Sequence, residues 1–174
     1  MKSKENIVFL GMMGSGKSSI GFLVSKRLGM EFFDIDQVIE KELKMKISKI
    51  FKEKGESYFR TIEEKITLQI LKKSGIVVAL GGGAFLNKNI RKEVIKNHFS
   101  IWLKVNSEIL IKRLKNTKNR PLASNASKEE LLDLIKKRSN FYSRALYKVI
   151  CNNMSKSQII DKVINIYENK KINY

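Results

Sequence analysis

The chain has 174 residues, a length typical of one domain with its own hydrophobic core. It carries 35 lysines and arginines against 17 acidic residues, a formal net charge of +18, and 43% of its residues are hydrophobic. This composition excludes intrinsic disorder and a collagen-like fibre, and the single cysteine, Cys151, excludes an internal disulfide. No apolar run reaches the roughly 20 residues of a membrane-spanning helix, and no signal-peptide pattern opens the chain, so we expect a cytoplasmic protein.

Short apolar runs alternate with amphipathic segments along the chain. The runs predict five strands, at Asn6–Leu10, Glu31–Asp34, Ile76–Leu80, Ser100–Val105 and Val149–Cys151. Helical periodicity predicts helices at Lys17–Leu28, through Val38 to Leu43, from Ser48 to Gly55, and at Glu56–Lys73, Lys88–Asn97, Ser107–Leu114, Lys128–Leu146 and Ser155–Glu168. Residues Lys115–Ser127 lack periodicity, which predicts a loop. Strands that alternate with helices indicate a mostly parallel sheet with helices on both faces.

A phosphate-binding motif lies between the first predicted strand and the first predicted helix. Gly11–Ser18 reads GMMGSGKS and matches G-x-x-x-x-G-K-[ST]. Glycines let the backbone wrap a phosphate with its N–H groups pointing inward, and the helix N-terminus adds its positive dipole end. Lys17 can reach the β- and γ-phosphates, and the Ser18 hydroxyl can bind Mg²⁺. The motif therefore predicts a site for ATP or GTP.

Two of the four aspartates, Asp34 and Asp36, lie together at the end of the second predicted strand. The carboxyl ends of strands border the ligand sites of open α/β sheets. Residues i and i+2 of an extended segment share a face, so we expect both carboxylates to point into one cleft. Phosphoryl transfer needs one carboxylate near Mg²⁺ and one that orients the attacking hydroxyl. The alternative is a simple turn in which Asp36 caps the next helix.

A second glycine cluster, Gly81–Gly83, follows the third predicted strand, where a ligand can approach the backbone or the chain can simply turn. Only seven arginines occur in this lysine-rich chain, and arginine offers a two-pronged donor set to carboxylates and phosphates. Arg60 precedes Glu63 and Glu64 on a predicted helix, where an acid can hold its side chain. Arg120 in the loop and Arg138 on a helix are further candidates. A solvated surface position is the alternative for each arginine.

Several motifs in a fixed order resemble those of the shikimate kinase family, small P-loop kinases related to nucleoside monophosphate kinases: GMMGSGKSS, FFDID, ESYFRTIEE, ALGGGA, NRPL and KKRSNFY. The resemblance extends from Ile7 to about Tyr147. It implies a three-layer α/β/α fold with a five-stranded parallel sheet of order 2-3-1-4-5. It also implies one kinase domain over residues 1–174, with substrate-binding helices at 35–73 and a lid loop at 115–127.

The resemblance further implies the reaction, which is transfer of the γ-phosphate of ATP to the 3-hydroxyl of shikimate. The products would be shikimate 3-phosphate and ADP, in the biosynthesis of chorismate and aromatic amino acids. Mg²⁺ would be the cofactor, bound by Ser18 and, through water, by Asp34. ATP and shikimate would be the only partners of a monomer that binds neither nucleic acid nor membrane.

Residue roles also follow from the resemblance, position by position. Asp36 would bind the ring hydroxyls and position the attacking one, while Arg60, anchored by Glu63, and Arg138 would bind the shikimate carboxylate. The Gly82 N–H would contact the same substrate. The catalytic residues would be Lys17, Asp36 and Arg120. ATP would be bound by Gly14, Ser15, Gly16, Lys17, Ser18, Ser19, Arg113 stacked on adenine, and Arg120, which swings over the γ-phosphate when the lid closes.

Two other classes of function remain open at this point. A kinase of the same fold acting on gluconate or a nucleoside monophosphate would share the nucleotide site, although a monophosphate acceptor needs several arginines and groups that read a base. The high positive charge also suggests a nucleic-acid-binding P-loop protein. However, the lysines are spread along the chain and mixed with glutamates, and most aromatic residues occupy core-like positions rather than a basic stripe.

Overall fold

The computed structural model describes residues 5–115 and 126–172. Five strands are present, β1 (Ile7–Leu10), β2 (Glu31–Asp34), β3 (Ile76–Ala79), β4 (Phe99–Lys104) and β5 (Tyr147–Ile150). Seven helices accompany them, α1 (Lys17–Leu28), α2 (Ile35–Leu43), α3 (Ile47–Leu71), α4 (Lys88–Asn97), α5 (Ser107–Lys115), α6 (Lys128–Tyr142) and α7 (Lys156–Ile172). Every predicted strand and helix is present, with most bounds shifted by a few residues or less.

The five strands form one parallel sheet in the order β2-β3-β1-β4-β5. This confirms the predicted three-layer fold and strand order. Strand β1 lies in the centre, with Val8 paired to Val78 of β3 on one side and to Ser100 of β4 on the other. Because all strands run the same way, the segments that follow β1, β2 and β3 meet at one edge of the sheet.

Each face of the sheet is covered by its own apolar layer. Successive residues of β1 point to opposite faces, so Ile7 and Phe9 pack with α1 and α7, whereas Val8 and Leu10 pack with helices of the opposite layer. All four side chains are at most 1% exposed. Burial on both faces explains the continuous apolar run that β1 shows in the sequence. In the described ranges 5–115 and 126–172, no helix has both the length and the apolarity to cross a membrane.

Helix α3 bends at Gly55, which has a backbone conformation (φ 81°, ψ 168°) that is open to glycine alone. The sequence predicts that one helix ends at Gly55 and another begins at Glu56, and in the structure the two are continuous across this bend. The predicted cap at Ser48 is wrong, because the helix already begins at Ile47. A side chain of the preceding helix replaces that cap, since Glu40 Oε1 accepts a hydrogen bond of 3.0 Å from the Ile47 N–H.

Helices α5 and α6 begin with different kinds of cap. Helix α5 begins at Ser107, but the side chain that accepts from its first turn is that of Asn106, at 2.9 Å from the Glu108 nitrogen. Helix α6 begins with a capping box between Ser127 and Glu130 and ends at Tyr142, four residues earlier than predicted. Residues 116–125, which include Arg120 and most of the predicted lid loop, lie outside the described residues.

Candidate active site

The candidate site lies at the carboxyl edge of the sheet, where three consecutive strands in the sheet order β2-β3-β1 end. The loop Gly11–Gly16 follows β1, Asp34 ends β2, and the glycine loop Gly81–Gly83 follows β3. We call Gly11–Gly16 the phosphate loop and Gly81–Gly83 the acceptor loop. The two loops follow neighbouring strands, and a β-carbon at Gly82 would lie 3.3 Å from the Met13 nitrogen, so they are in contact.

The glycines of the phosphate loop adopt conformations that other residues disfavour. The φ values of Gly11, Gly14 and Gly16 are 142°, 80° and 95°. At Gly11 space is also limited, because a β-carbon there would lie 2.8 Å from the Leu103 carbonyl oxygen. Gly16 is the N-cap of α1 and has no side chain to satisfy the first helical N–H groups. The start of α1 is therefore available to an anion, as expected for a phosphate site.

Lys17 is held over the phosphate loop. Its Nζ donates to the carbonyl oxygens of Gly11 at 2.9 Å and Met12 at 3.0 Å, and the residue is only 8% exposed. The Ser15 hydroxyl is buried and has no hydrogen-bond partner in the described part of the chain. The Ser18 side chain is exposed and Ser19 is half-buried. The loop thus combines a positive charge with polar groups at the opening of α1.

The two aspartates do not share an extended segment, so the predicted geometry is wrong although both residues lie at the site. The strand ends at Asp34, whose Oδ1 accepts from the Gln37 N–H at 3.3 Å and caps α2. Asp36 is already in the first turn of this helix. The alternative of a cap at Asp36 is also wrong, because Asp34 is the residue that caps the helix. The turn that Asp34 stabilises brings Asp36 towards the acceptor loop.

Two carboxylates meet at Gly81. A β-carbon there would lie 2.5 Å from Oε1 of Glu63 and 2.8 Å from Oδ1 of Asp36. Both distances are too short for an added β-carbon unless the ends of these two side chains shift. The constraint at this position comes from the carboxylates and not from φ, since Gly81 has no positive φ.

Arg60 extends along Gly83 and is fixed by two acids. Its Nη1 donates to Glu63 Oε2 at 2.7 Å, and its Nη2 donates to Glu56 Oε1 at 2.9 Å. A β-carbon at Gly83 would lie 2.6 Å from Nη1. The predicted anchor Glu63 is confirmed, whereas Glu64 binds Asn87 and Asn89 and takes no part in the site.

Arg138 reaches the same loop from α6 and is 4% exposed. A β-carbon at Gly82 would lie 3.3 Å from its Nη1, which also contacts the Met12 sulfur at 3.9 Å. Its buried Nε has no hydrogen-bond partner in the described residues. A buried guanidinium with an unused N–H group is a strong binding group for an anion.

Charges of both signs are buried together around the acceptor loop. Burial raises the pKa of the Glu63 carboxyl, and although Arg60 opposes this rise, it does not cancel it. For Arg60, burial acts to lower the pKa, but the ion pairs with Glu63 and Glu56 outweigh it and the pKa is raised. The guanidinium therefore stays charged, and the site presents two arginines beside two acidic side chains, Glu63 and Asp36.

The remaining arginines predicted for the nucleotide are only partly described. Arg113 lies on α5 and its Nη1 donates to the Gly14 carbonyl oxygen at 2.9 Å, which places it against the phosphate loop. Arg120 lies outside the described residues. In the described ranges, no group of three or more histidine, cysteine or acidic side chains forms a ready-made metal cage. A kinase site does not need one, because Mg²⁺ is commonly held by one or two protein groups together with phosphate oxygens.

A phosphate loop after the central strand of a parallel sheet, with an arginine-lined acceptor loop on the next strand, defines a P-loop kinase. The shikimate kinase family model matches residues 13–168. The chain belongs to the shikimate kinase family.

Individual relatives agree with this assignment. A shikimate kinase of Bartonella quintana is 41% identical over 95% of this chain and 80% of its own length. A shikimate kinase of Thermodesulfovibrio yellowstonii is 39% identical over 94% of this chain and 95% of its own length. Among solved structures, a shikimate kinase from Acinetobacter baumannii in complex with shikimate superposes with a TM-score of 0.92 at 30% identity, covering 97% of this chain and 95% of the other.

Two residues of the site, Glu56 and Tyr142, were not predicted from the sequence. Glu56 binds Arg60 from one helical turn before it, a spacing of four residues that pairs charges as well as the spacing to Glu64 does. Tyr142 donates a short hydrogen bond from its hydroxyl to the Gly82 carbonyl oxygen. It lies four residues after Arg138 on α6, and residues at this spacing share one face of a helix. The sequence therefore did contain a signal for Tyr142.

Proposed function

We propose that the chain transfers the γ-phosphate of ATP to the 3-hydroxyl of shikimate, giving shikimate 3-phosphate and ADP. One observation carries this proposal: Arg60, Arg138 and the Asp36 carboxylate converge on a glycine loop that touches the phosphate loop. The acceptor must therefore combine an anionic group with hydroxyl groups, and it must be small enough to reach the γ-phosphate from the neighbouring strand. Shikimate, a ring with one carboxylate and three hydroxyls, has this chemistry.

In the nucleotide half, the phosphate loop residues Gly14, Ser15 and Gly16 surround the phosphates with N–H groups. Lys17 exchanges its two loop carbonyl partners for phosphate oxygens and stabilises the charge that develops on them. Ser18 and Ser19 follow at the opening of α1. Arg113 moves from the phosphate loop to the adenine, and Arg120 in the 115–127 lid covers the γ-phosphate.

The described residues fit Mg²⁺ in the way kinases hold it. The exposed Ser18 hydroxyl would be a direct ligand, and the Asp34 carboxylate, fixed as a helix cap at the end of β2, would act through water. When bound, Mg²⁺ neutralises charge on the β- and γ-phosphates.

In the acceptor half, Arg60 and Arg138 bind the carboxylate of shikimate. Arg60 is already oriented by Glu63 and Glu56, so little side-chain entropy is lost on binding. The Gly82 N–H adds a backbone contact. Asp36 orients the 3-hydroxyl and accepts its proton while the new oxygen–phosphorus bond forms and the bond to ADP breaks. Residues 35–73, which hold α2 and α3, supply Asp36 and Arg60 and so act as the substrate-binding helices of a single kinase domain.

A monomer is the working unit in this proposal. The phosphate loop, both acceptor arginines and Asp36 all come from one chain, and no site residue needs to be supplied by a second copy. Sedimentation equilibrium at assay concentrations would measure the mass directly. A dimer that dissociates with loss of activity would contradict this part of the proposal.

The test of the reaction is Mg²⁺-dependent ADP release from ATP, with shikimate, gluconate and a panel of nucleoside monophosphates compared against a blank without acceptor. Turnover with shikimate alone, and a product with the mass of a monophosphorylated shikimate, is the expected result. Turnover with gluconate or a nucleoside monophosphate instead would keep the P-loop kinase assignment and overturn the assignment of Asp36, Arg60 and Arg138 to shikimate. No turnover with any acceptor would overturn the proposed reaction.

A further inference from the structure

Tyr142 lies behind the acceptor loop at the end of α6. The residue is 1% exposed, and its hydroxyl donates to the carbonyl oxygen of Gly82. The Arg138 guanidinium is the other neighbour of this hydroxyl, because its charge and a side-chain hydrogen bond both act to lower the pKa of Tyr142. One phenol thus borders both a backbone group and a side chain of the acceptor site. These two groups come from distant parts of the sequence, and the phenol is the point at which they are tied together.

The hydroxyl remains a donor under all ordinary conditions. Burial raises the pKa of Tyr142 to about 12, although the neighbouring positive charges of Arg138 and Arg60 favour ionisation. A neutral phenol can donate to a carbonyl oxygen, whereas a phenolate would repel it. Hydrogen bonding at this point is therefore constant across the working pH range.

The Tyr142 ring belongs to the hydrophobic core and also borders a cavity. Tyr142 lines a cavity of about 350 Å³ together with Met12, Trp102, Ile135 and Ser139. Apolar contacts restrain the ring without a directional preference, whereas the hydrogen bond to Gly82 fixes the hydroxyl relative to one backbone carbonyl oxygen.

We propose that Tyr142 is a positioning residue of the acceptor site, which holds the Gly82 peptide and Arg138 in register and so sets the affinity for the acceptor but not for ATP. This inference rests on the proposed function and names a further residue for it. Tyr142 itself touches no substrate in this account. Its effect is transmitted through the Gly82 backbone and the Arg138 guanidinium.

The decisive variant is Tyr142→Phe, which removes one oxygen and keeps the ring. We expect KM for shikimate to rise about tenfold, because one buried hydrogen bond is lost and a carbonyl oxygen is left without its donor. KM for ATP and kcat should change by less than about twofold. Equilibrium binding is accessible as well, since Trp102 is the only tryptophan and its ring centroid lies 6.0 Å from that of Tyr142, so its fluorescence can follow a shikimate titration.

Tyr167→Phe is the matched control. Tyr167 is also 1% exposed, its hydroxyl donates to the Glu5 carbonyl oxygen at 2.9 Å, and burial likewise raises its pKa to about 12. It lies on α7, on the opposite face of the sheet. Both variants lose a buried phenol hydrogen bond and should lose similar thermal stability, but only Tyr142→Phe should weaken shikimate binding.

Two further variants test the proposal if Tyr142→Phe strongly destabilises the protein. Arg138→Lys and the double variant Tyr142→Phe with Arg138→Lys complete a cycle, and the two changes should be less than additive in KM for shikimate because they act on one contact. Shikimate affinity of Tyr142→Phe within twofold of wild type, or an equal rise in KM for both substrates, would overturn the inference. Wild-type protein that fails to phosphorylate shikimate would instead overturn the proposed function, so the two failures are distinguishable.

Discussion

The phosphate loop and the acceptor loop both rely on glycine, but for different physical reasons. Gly14 and Gly16 have positive φ values, and a β-carbon at either would meet nothing closer than 3.7 Å. Gly81 and Gly83 have no positive φ, yet β-carbons there would lie 2.5 Å from Glu63 and 2.6 Å from Arg60. Gly14 and Gly16 thus need glycine for their own backbone, whereas a β-carbon at Gly81 or Gly83 would displace side chains that arrive from elsewhere.

This difference explains why the phosphate loop can be recognised from the sequence and the acceptor loop cannot. A backbone conformation is specified by consecutive residues, so the phosphate loop appears as a continuous motif. Close approach of side chains depends on helices α2, α3 and α6, which are separated from the acceptor loop in the chain. Three glycines alone therefore left open a simple turn, and only the fold shows which side chains occupy the space.

The largest expected effect tests the phosphate loop. Lys17→Ala removes the charge held by the Gly11 and Met12 carbonyls and should lower kcat by about 10²- to 10³-fold or more, because a preorganised positive group at the phosphates is lost. Steady-state ADP release measures this, with shikimate binding by Trp102 fluorescence as the control that should change little. Turnover near the wild-type rate would contradict the role of Lys17.

A pair of alanine variants separates the two reasons for glycine. Gly81→Ala places a methyl group against Glu63 and Asp36 and should raise KM for shikimate at least about tenfold, since the carboxylates must move. The matched control is Gly29→Ala, which has φ 60° and no atom within 4 Å. It should cost about 1 kcal/mol of stability without changing either KM.

Urea unfolding of both variants measures the loss of stability, and steady-state kinetics measure KM for shikimate and for ATP. The comparison between the loops would fail if Gly81→Ala lost only stability and kept its shikimate affinity. It would also fail if Gly29→Ala changed the kinetics.

Arg60→Lys tests whether acceptor binding depends on the planar guanidinium and not only on its charge. Lysine keeps the charge but cannot reproduce the planar contacts to Glu63 and Glu56 or offer two parallel N–H groups to a carboxylate. We expect KM for shikimate to rise about tenfold, with KM for ATP unchanged. Lys65→Arg on the same helix is a control at an exposed position with no expected kinetic effect. An unchanged KM for shikimate would remove Arg60 from the site.

The smallest effect concerns stability far from both loops. His98 is the only histidine, is 8% exposed, and lies at the amino end of β4. Burial lowers its pKa below 6.5, and the nearby Glu93 opposes this without reversing it. The unfolded chain therefore binds a proton below pH 6.5 that the folded chain resists, so His98 reduces stability as the pH falls from 6.5 towards the folded pKa.

Urea unfolding at pH 7.5 and 5.5 measures this effect. Wild type should lose more stability over this interval than His98→Gln, with no difference in KM for either substrate. Parallel pH dependence of the two proteins would show that His98 does not carry the loss.

Much of the fold was accessible from the sequence because its cues are local. Apolar runs marked the strands, and Gly29 marked the end of α1, where it adopts the left-handed conformation. Helix caps were less accessible, since Glu40 reaches Ile47 from the preceding helix and replaces the cap expected at Ser48. The same limit applied to Asp34, whose capping role depends on where the strand stops.

The site shows the same division. The pairing of Arg60 with Glu63 followed from helical spacing and is confirmed at 2.7 Å. Contact between Asp36 and Gly81 joins residues 45 positions apart and was not predicted, although both residues were expected near the carboxyl ends of strands. Tyr142 was missed because its contact with Gly82 spans 60 positions, although its spacing from Arg138 was visible in the sequence.

The bend at Gly55 divides α3 into a short first arm, Ile47–Lys54, and a longer second part. The arm Ile47–Lys54 is about 12 Å long at 1.5 Å per residue, so a rotation of about 10° at Gly55 displaces its far end by about 2 Å. The arm also carries Phe51, whose ring packs 4.8 Å from that of Phe59 and 6.0 Å from the Arg60 guanidinium. Such a rotation would move Phe51 against both Phe59 and that guanidinium, so the backbone angle at Gly55 would set the position of one wall of the acceptor pocket.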